Sequence, residues 1–317
     1  MKAVIYRRFG GPEVLEYVGD WPAPMPKANE VLVRVQAGGL NPKDALLRKG
    51  KFRPFLDREP LPRVSGLEMA GEVVEIGKGA TGLRVGERVF GMSNRFHGGL
   101  HAEYAVVDAG WVAPIPERIS GTLAAAVPLA AQTALQALRD YAGVGSGARV
   151  LINGASGGVG HFAVQVARIL GANVTAVCGK HNLAFVRELG AQHVVDYRST
   201  AATQVAGPFD CIFDVFGQYR GRDFSRSLAP RGIYVNTIPR STTIFGELLA
   251  MTGLWRRSRL VLVRSRRRDL ETLGDWIQQG RLYPHIEAVY SFREAAEAHR
   301  RLETRHVRGK LVLEADW

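Results

Sequence analysis

The sequence predicts an α/β protein in two parts: a β-rich unit, and a doubly wound parallel sheet that binds a dinucleotide. Three observations predict it. Residues 149–160, Arg-Val-Leu-Ile-Asn-Gly-Ala-Ser-Gly-Gly-Val-Gly, crowd four glycines into seven residues directly after a short apolar strand. Phe162, Val166, Ile169 and Leu170 then recur at helical spacing, with Ala163 and Ala167 between them. Beyond this unit strands and helices alternate, which demands a parallel sheet covered on both faces. Before it, short strands separated by Gly and Pro clusters dominate.

Residues 1–119 read as mostly β. Strands fall at Ala3–Arg7, Val31–Gln36, Ala70–Ile76, Arg88–Phe90 and Ala102–Val107. Asn41-Pro42-Lys43-Asp44 opens a short helix, with Pro in its first turn and Asn41 as its cap. From Thr122 the pattern turns helical. After the glycine turn come a strand at Asn173–Cys178, a helix at 183–189, strands at His193–Asp196 and Cys211–Val215, a helix at 222–228 and a strand at Ile233–Asn236. Beyond Arg281, Val289-Tyr290, an amphipathic helix Arg293–Glu303 and a strand Lys310–Leu313 have the character of the first part again. The expected domains are therefore 1–119 with 281–317, and 120–280.

Strand, glycine turn and helix gather backbone N–H groups and the positive end of a helix around one small space, a site for phosphate. Gly154 lets the chain turn, Gly157 and Gly158 let pyrophosphate approach, and Gly160 lets helix pack on strand. Ala155, Ser156 and Val159 complete the cradle. The spacing departs from a strict GxGxxG because Ala155 holds its first position; the flanking strand and helix carry the dinucleotide reading. An NAD site would place Asp or Glu about 20 residues further on. Cys178, Gly179, Lys180 and His181 stand there instead. No carboxylate opposes a 2′-phosphate and a cation is at hand, so NADPH is favoured.

The length of 317 residues suffices for two cores, and no apolar run approaches the ~18–20 residues that span a bilayer. Charges follow the first apolar patch closely, so the N-terminus reads as a strand and not as a signal peptide. Cys178 and Cys211 lie in separate strand-like segments without a CxxC, which argues against a disulfide framework or structural zinc; a cytoplasmic setting is expected. The net charge of +12 suits anionic ligands. Seven arginines fall between Arg256 and Arg268. Either they decorate a solvated edge flanking a strand Leu260–Val263, the preferred reading, or they form a patch for nucleic acid or another polyanion.

Together these segments resemble the medium-chain dehydrogenase/reductase superfamily, which pairs a GroES-like catalytic domain with a Rossmann domain. The motifs are Asn41-Pro42-x-Asp44, Gly66-x-Glu68-x-x-Gly71, Val85-Gly86-x-Arg88-Val89, Glu103-Tyr104, Gln132-Thr133-Ala134, the glycine turn and Arg308-Gly309-Lys310. The zinc enzymes of the superfamily carry Cys near Asn41 and a Gly-His-Glu motif, which reads Gly66-Leu67-Glu68 here. With Cys and His both missing, Glu68 alone remains of a set that needs three ligands. The chain is thus similar to the zinc-free quinone oxidoreductase and zeta-crystallin branch, which implies NADPH as cofactor and a homodimer.

The resemblance also places individual residues. Asn41 lies beside nicotinamide and substrate, in addition to or instead of capping its helix. Thr133 lies near the nicotinamide, or caps a helix. Lys180 or Asn182, together with Tyr197, meets the 2′-phosphate; Arg305 reaches the same phosphate or is a helix-end charge. Val215 and Phe216 end a strand at the carboxyl edge, with Phe216 near the nicotinamide or in the core. Tyr104 donates a proton or merely packs, and His97 and His101 are read as loop residues. Phe52, Phe55 and Trp255 are candidates for the substrate pocket. Without a Lewis acid, hydride transfer to the β-carbon of an enone or quinone is the expected chemistry, because its charge spreads over an enolate. The rival reading is a cofactor-binding protein whose basic surface holds nucleic acid.

Overall fold

The computed structural model describes residues 1–52, 60–238 and 258–317. Phe55, Trp255, Arg256 and Arg257 lie outside the described residues. The chain forms two compact units, Met1–Gln132 with Arg264–Gly280 and Pro284–Trp317, and Thr133–Val263 with Arg281–Tyr283.

The first unit begins with β1 (Ala3–Tyr6), β2 (Leu15–Val18), β3 (Glu30–Gly39), α1 (Pro42–Arg48), β4 (Arg63–Val64), β5 (Glu68–Ile76), β6 (Arg88–Met92), β7 (Tyr104–Asp108), β8 (Val112–Pro114) and α2 (Gly121–Ala125). In β3 the alternation of Val31, Val33 and Val35, buried, with the exposed Arg34 marks a strand with one face to the core. The boundary between units falls within α3 (Pro128–Leu135), which continues as a π-helical turn, Gln136–Tyr141.

The second unit follows as β9 (Arg149–Asn153), α4 (Gly160–Ile169), β10 (Asn173–Cys178), α5 (Leu183–Glu188), β11 (His193–Asp196), β12 (Phe209–Asp214), β13 (Leu228–Asn236) and β14 (Ser258–Leu260). Its parallel sheet runs β11-β10-β9-β12-β13-β14. The strand order reverses between β9 and β12, and their carboxyl ends flank the crevice where such sheets bind ligands. Leu151, Ile152, Ile212 and Phe213 are fully buried, as strands covered on both faces require. Cys178 and Cys211 are buried as well, and burial pushes their thiols up to about 11 and about 12.

The chain then returns to the first unit with α6 (Arg267–Gln278), β15 (Ile286–Ser291), α7 (Ala295–Glu303) and β16 (Lys310–Glu314). The large sheet there runs β15-β16-β3-β5-β6-β8, with β7 also on β3, and β2-β1-β4 form a small second sheet. Phe292, Leu311 and Leu313 join Val31, Val33 and Met69 in one core. No described helix is long and apolar enough to cross a membrane.

Three expectations are corrected here. The helix expected at 222–228 is a single 3-10 turn, Gly221–Phe224, because β13 already begins at Leu228. The strand expected at Leu260–Val263 is Ser258–Leu260. Residues 120–132, expected in the dinucleotide domain, pack in the first unit and Arg281–Tyr283 the reverse; Arg264–Gly280, also expected in the dinucleotide domain, pack in the first unit as well. Ser265 anchors them there: its N–H donates to Asn94 Oδ1 (2.7 Å), its hydroxyl donates to the Trp111 carbonyl (2.7 Å), and Asn94 Nδ2 donates back to its carbonyl (3.1 Å).

The arginine cluster divides in the same way, Arg259 falling in the second unit and Arg264, Arg266, Arg267 and Arg268 in the first. Arg267 is no edge decoration. Its half-buried guanidinium donates to the carbonyls of Val112 (3.1 Å), Gly82 (3.1 Å), Thr81 (3.4 Å) and Ala109 (2.7 Å), clamping two loops to the start of α6. Hydrogen bonds from a charged donor are worth more than neutral ones, and their loss strands partly buried carbonyls. Replacing Arg267 with Ser is therefore expected to lower stability by roughly 2–4 kcal/mol, whereas Arg268→Ser should cost less than ~0.5 kcal/mol. Urea midpoints of the two variants decide it; equal midpoints would return Arg267 to the surface.

Candidate active site

In the second unit the site is built at the carboxyl end of β9. Gly154 takes φ +85°, and a Cβ at Gly160 would lie 2.0 Å from the Gly154 carbonyl, so only glycine lets α4 start this close to the strand. The Gly154 and Ala155 N–H groups both donate to the Val177 carbonyl (3.1 and 3.0 Å), and Gly157 N–H returns to Gly154 (3.2 Å). Ser156, Gly158 and Val159 complete the turn ahead of α4, whose first residue is Gly160. Their N–H groups stand at the positive end of a ten-residue helix. The cradle suits a pyrophosphate.

Asn182 Nδ2 donates to Ser156 Oγ (3.1 Å), tying the loop after β10 to the glycine turn. Lys180 is exposed in that loop. The ring of Tyr197, 46% exposed at the end of β11, backs Gly179, where a Cβ would come within 3.3 Å of it. A carboxylate does stand nearby, Asp196 beside Cys178 in register, and its Oδ1 accepts from the Arg198 N–H (3.0 Å).

Asp214, which sequence reasoning missed, organises the crevice's other side. Its buried carboxylate accepts from Asn153 Nδ2 (2.8 Å), Gly217 N–H (3.0 Å), Tyr219 N–H (3.1 Å) and the Tyr234 hydroxyl (2.9 Å). It thereby fixes the loop of Val215 and Phe216 next to the glycine turn. An acid ending an apolar strand just before Gly217 was the available signal. Phe216 is 44% exposed, with its Cβ facing Gly154, so the core reading for it fails. Thr133 lies inside α3 and buried, so it is not a helix cap.

In the first unit, Asn41, Glu68 and Lys310 meet with 3%, 0% and 2% exposure, so each polar atom needs a partner. The Lys310 ammonium donates to Leu40 O (2.8 Å), Asn41 Oδ1 (2.7 Å) and Glu68 Oε1 (2.7 Å), using all three of its protons. Asn41 Nδ2 donates to the same Glu68 oxygen (2.7 Å), and Leu129 N–H donates to Oε2 (2.6 Å). The Asn41 side chain is thus spent on this cluster and not on capping. The cap runs the other way: the Asn41 N–H donates to Asp44 Oδ2 (2.8 Å). Asp44 is buried, its Oδ1 has no partner among the described residues, and burial pushes its carboxyl up to about 7.

This donor set does not suit zinc. Glu68 is already neutralised by Lys310, Asp44 caps α1, and among the described residues no group of three His, Cys, Asp or Glu could hold a metal. Tyr104 starts β7 opposite Arg34, five residues along β3 from Gly39, roughly 16 Å from the cluster at ~3.3 Å per residue. Arg305 is exposed after α7 in the left-handed region at φ +59°. His101 is fully buried against Gly38 and Gly66.

A buried Rossmann-type sheet with its phosphate cradle, in one chain with a GroES-like unit whose described residues hold no metal set, defines a pyridine-nucleotide-dependent oxidoreductase class. Family models agree: the alcohol dehydrogenase GroES-like domain matches residues 27–117, and the zinc-binding dehydrogenase model matches residues 189–313. The chain is 32% identical over 325 residues to the chloroplast envelope quinone oxidoreductase homolog of Arabidopsis thaliana, covering 99% of this chain and 98% of that protein. It is 31% identical to the same plant's NADPH-dependent alkenal/one oxidoreductase, covering 99% and 79%. The solved quinone oxidoreductase of Coxiella burnetii superimposes with a TM-score of 0.90 at 34% identity, covering 99% of each chain. The chain belongs to the zinc-independent quinone oxidoreductase family of medium-chain dehydrogenases/reductases.

Removing one partner of a buried ion pair leaves an uncompensated charge. Lys310→Met is expected to cost about 3–5 kcal/mol, and adding Glu68→Gln should recover part of that in a double-mutant cycle. Strict additivity would contradict the pairing.

Buried histidines set the acid limit. Burial holds His101 down to about 4 and His299 down to about 3, Arg48 adding to the effect on His299. Both folded values lie below the unfolded ~6.5, so the stability they contribute is present above pH ~6.5 and lost as pH falls towards 4. Asp44 has the opposite sign and offsets one of the two. Urea midpoints should therefore decline on acidification through this window; a rising midpoint would contradict the assignment.

Proposed function

We propose that this protein uses NADPH to reduce a quinone or a conjugated enone by hydride transfer to the β-carbon. The observation that carries the reading is the Glu68 carboxylate saturated by Lys310, Asn41 and the Leu129 amide. Where zinc dehydrogenases use a metal to polarise a carbonyl, this chain has a closed, neutral knot. Reduction at a conjugated carbon removes the demand for a metal-stabilised alkoxide, because charge spreads over the enolate.

Bound NADPH supplies the hydride. Ser156, Gly158 and Val159 take the pyrophosphate on backbone N–H groups in the turn that Gly154 and Gly160 shape, and Asp214 holds the Val215-Phe216 loop as the cradle's second wall. Lys180, Asn182 and Tyr197 select the adenosine 2′-phosphate. Thr133, in the same unit as the cradle, positions the nicotinamide. The names of the relatives, one NADPH-dependent and acting on alkenals and enones, support the same reading. The polyanion alternative loses ground, since Arg267 is consumed by carbonyls and Arg266 pairs with Asp269 (3.9 Å).

NADPH oxidation against a panel of quinones, enones and simple ketones tests the proposal; turnover confined to the simple ketones would reject it. A charge-assisted contact to the 2′-phosphate is worth ~1.5–3 kcal/mol, so NADPH should bind at least roughly tenfold tighter than NADH. Lys180→Ala should erase most of that preference and leave NADH binding alone, as measured by fluorescence titration.

A further inference from the structure

Lys43 is a cation that the site described so far does not use. It follows Asn41 by two residues in the first turn of α1. Its ammonium lies 4.7 Å from the centroid of the Phe96 ring, which stacks edge-to-face with Phe52 at 5.1 Å. The side chain is half-buried, and among the described residues it makes no ion pair or hydrogen bond. The neighbouring Arg95 is drawn off by Glu30. Burial lowers the amine below its usual 10.5, and Asp44 alone opposes the shift. A partly dehydrated ammonium over the Phe96 ring keeps N–H donors to offer, and the perpendicular pair makes an apolar corner beside it. Together they fit a planar, neutral, conjugated carbonyl: ring against ring, oxygen against ammonium.

We propose that Lys43 is the catalytic residue that binds the substrate carbonyl oxygen and takes up the negative charge formed there during reduction. This rests on the quinone/enone reading above. Hydride addition forms the β-carbon–hydrogen bond, the C=C electron pair becomes the bond between α-carbon and carbonyl carbon, and the carbonyl π pair moves to oxygen. The Lys43 ammonium hydrogen-bonds that oxygen and gives it a proton, yielding the enol and a neutral amine that solvent reprotonates. The ammonium fills the role of an oxyanion donor, which a metal fills in the zinc enzymes.

The test compares wild type, Lys43→Met and Lys43→Arg with 2-cyclohexen-1-one and 1,4-naphthoquinone. The enone product is a strongly basic enolate, so Lys43→Met should lower kcat with cyclohexenone by about 100-fold, with NADPH affinity unchanged and Lys43→Arg retaining most of the rate. Naphthoquinone, whose reduced anion is weakly basic, should lose less than about tenfold. A merely structural lysine would affect both substrates alike, and equal losses would overturn the proposal. A second readout needs no turnover. 4-Nitrophenol, added to the cofactor-free protein at slightly acidic pH, should show an enhanced phenolate band with wild type and none with Lys43→Met. No enhancement with wild type would overturn the assignment of Lys43. An enhanced band in a protein inactive on the whole panel would uphold the oxyanion site and reject the quinone/enone function instead.

Discussion

The first unit depends on one buried ammonium. Lys310 enters at the start of β16 and holds Leu40, Asn41 and Glu68 at once, so the last strand, the end of β3, the entry to α1 and the start of β5 share a single polar knot. A buried charge is tolerated only when paired and fully hydrogen-bonded, and here each proton of the ammonium has an acceptor. The Leu129 amide adds the opening of α3 to the same carboxylate. The chain's return to its first part is thus enforced by the cost of leaving Glu68 or Lys310 alone in an apolar interior.

The second unit depends on geometry more than charge. A parallel sheet whose order reverses between β9 and β12 leaves a crevice at their carboxyl ends, and two devices shape it. Gly160 permits backbone contact with Gly154 that any side chain would block. Asp214 collects four donors and so freezes the neighbouring loop. A preorganised cradle of this kind costs little reorganisation when an anionic ligand arrives.

Much of this was legible in the sequence, for reasons of range. The glycine turn, β10 and the closing helix and strand follow from local period and spacing, and Asn173–Cys178 was read to the residue. The Asn41 knot was not, because Glu68 and Lys310 are 242 residues apart and nothing local pairs them. Arg267 read as one of seven like charges, although its role is set by carbonyls more than 150 residues away. Residues 222–228 carried helical composition, but pairing of β13 with β12 claimed Leu228 first. Range explains half of Asp214: Asn153 and Tyr234 are 61 and 20 residues away, whereas Gly217 and Tyr219 lie within five.

The two cysteines acquire a meaning from the chemistry proposed. Quinones and enones are soft electrophiles that arylate or alkylate thiolates by conjugate addition, the same carbon being the target. With its thiol pushed up to about 11, Cys178 holds about one thiolate in ten thousand molecules at neutral pH; Cys211, at about 12, holds fewer. Both are buried. The chain can therefore handle a thiol-modifying reagent, turnover after turnover, while offering it almost no nucleophilic sulfur of its own.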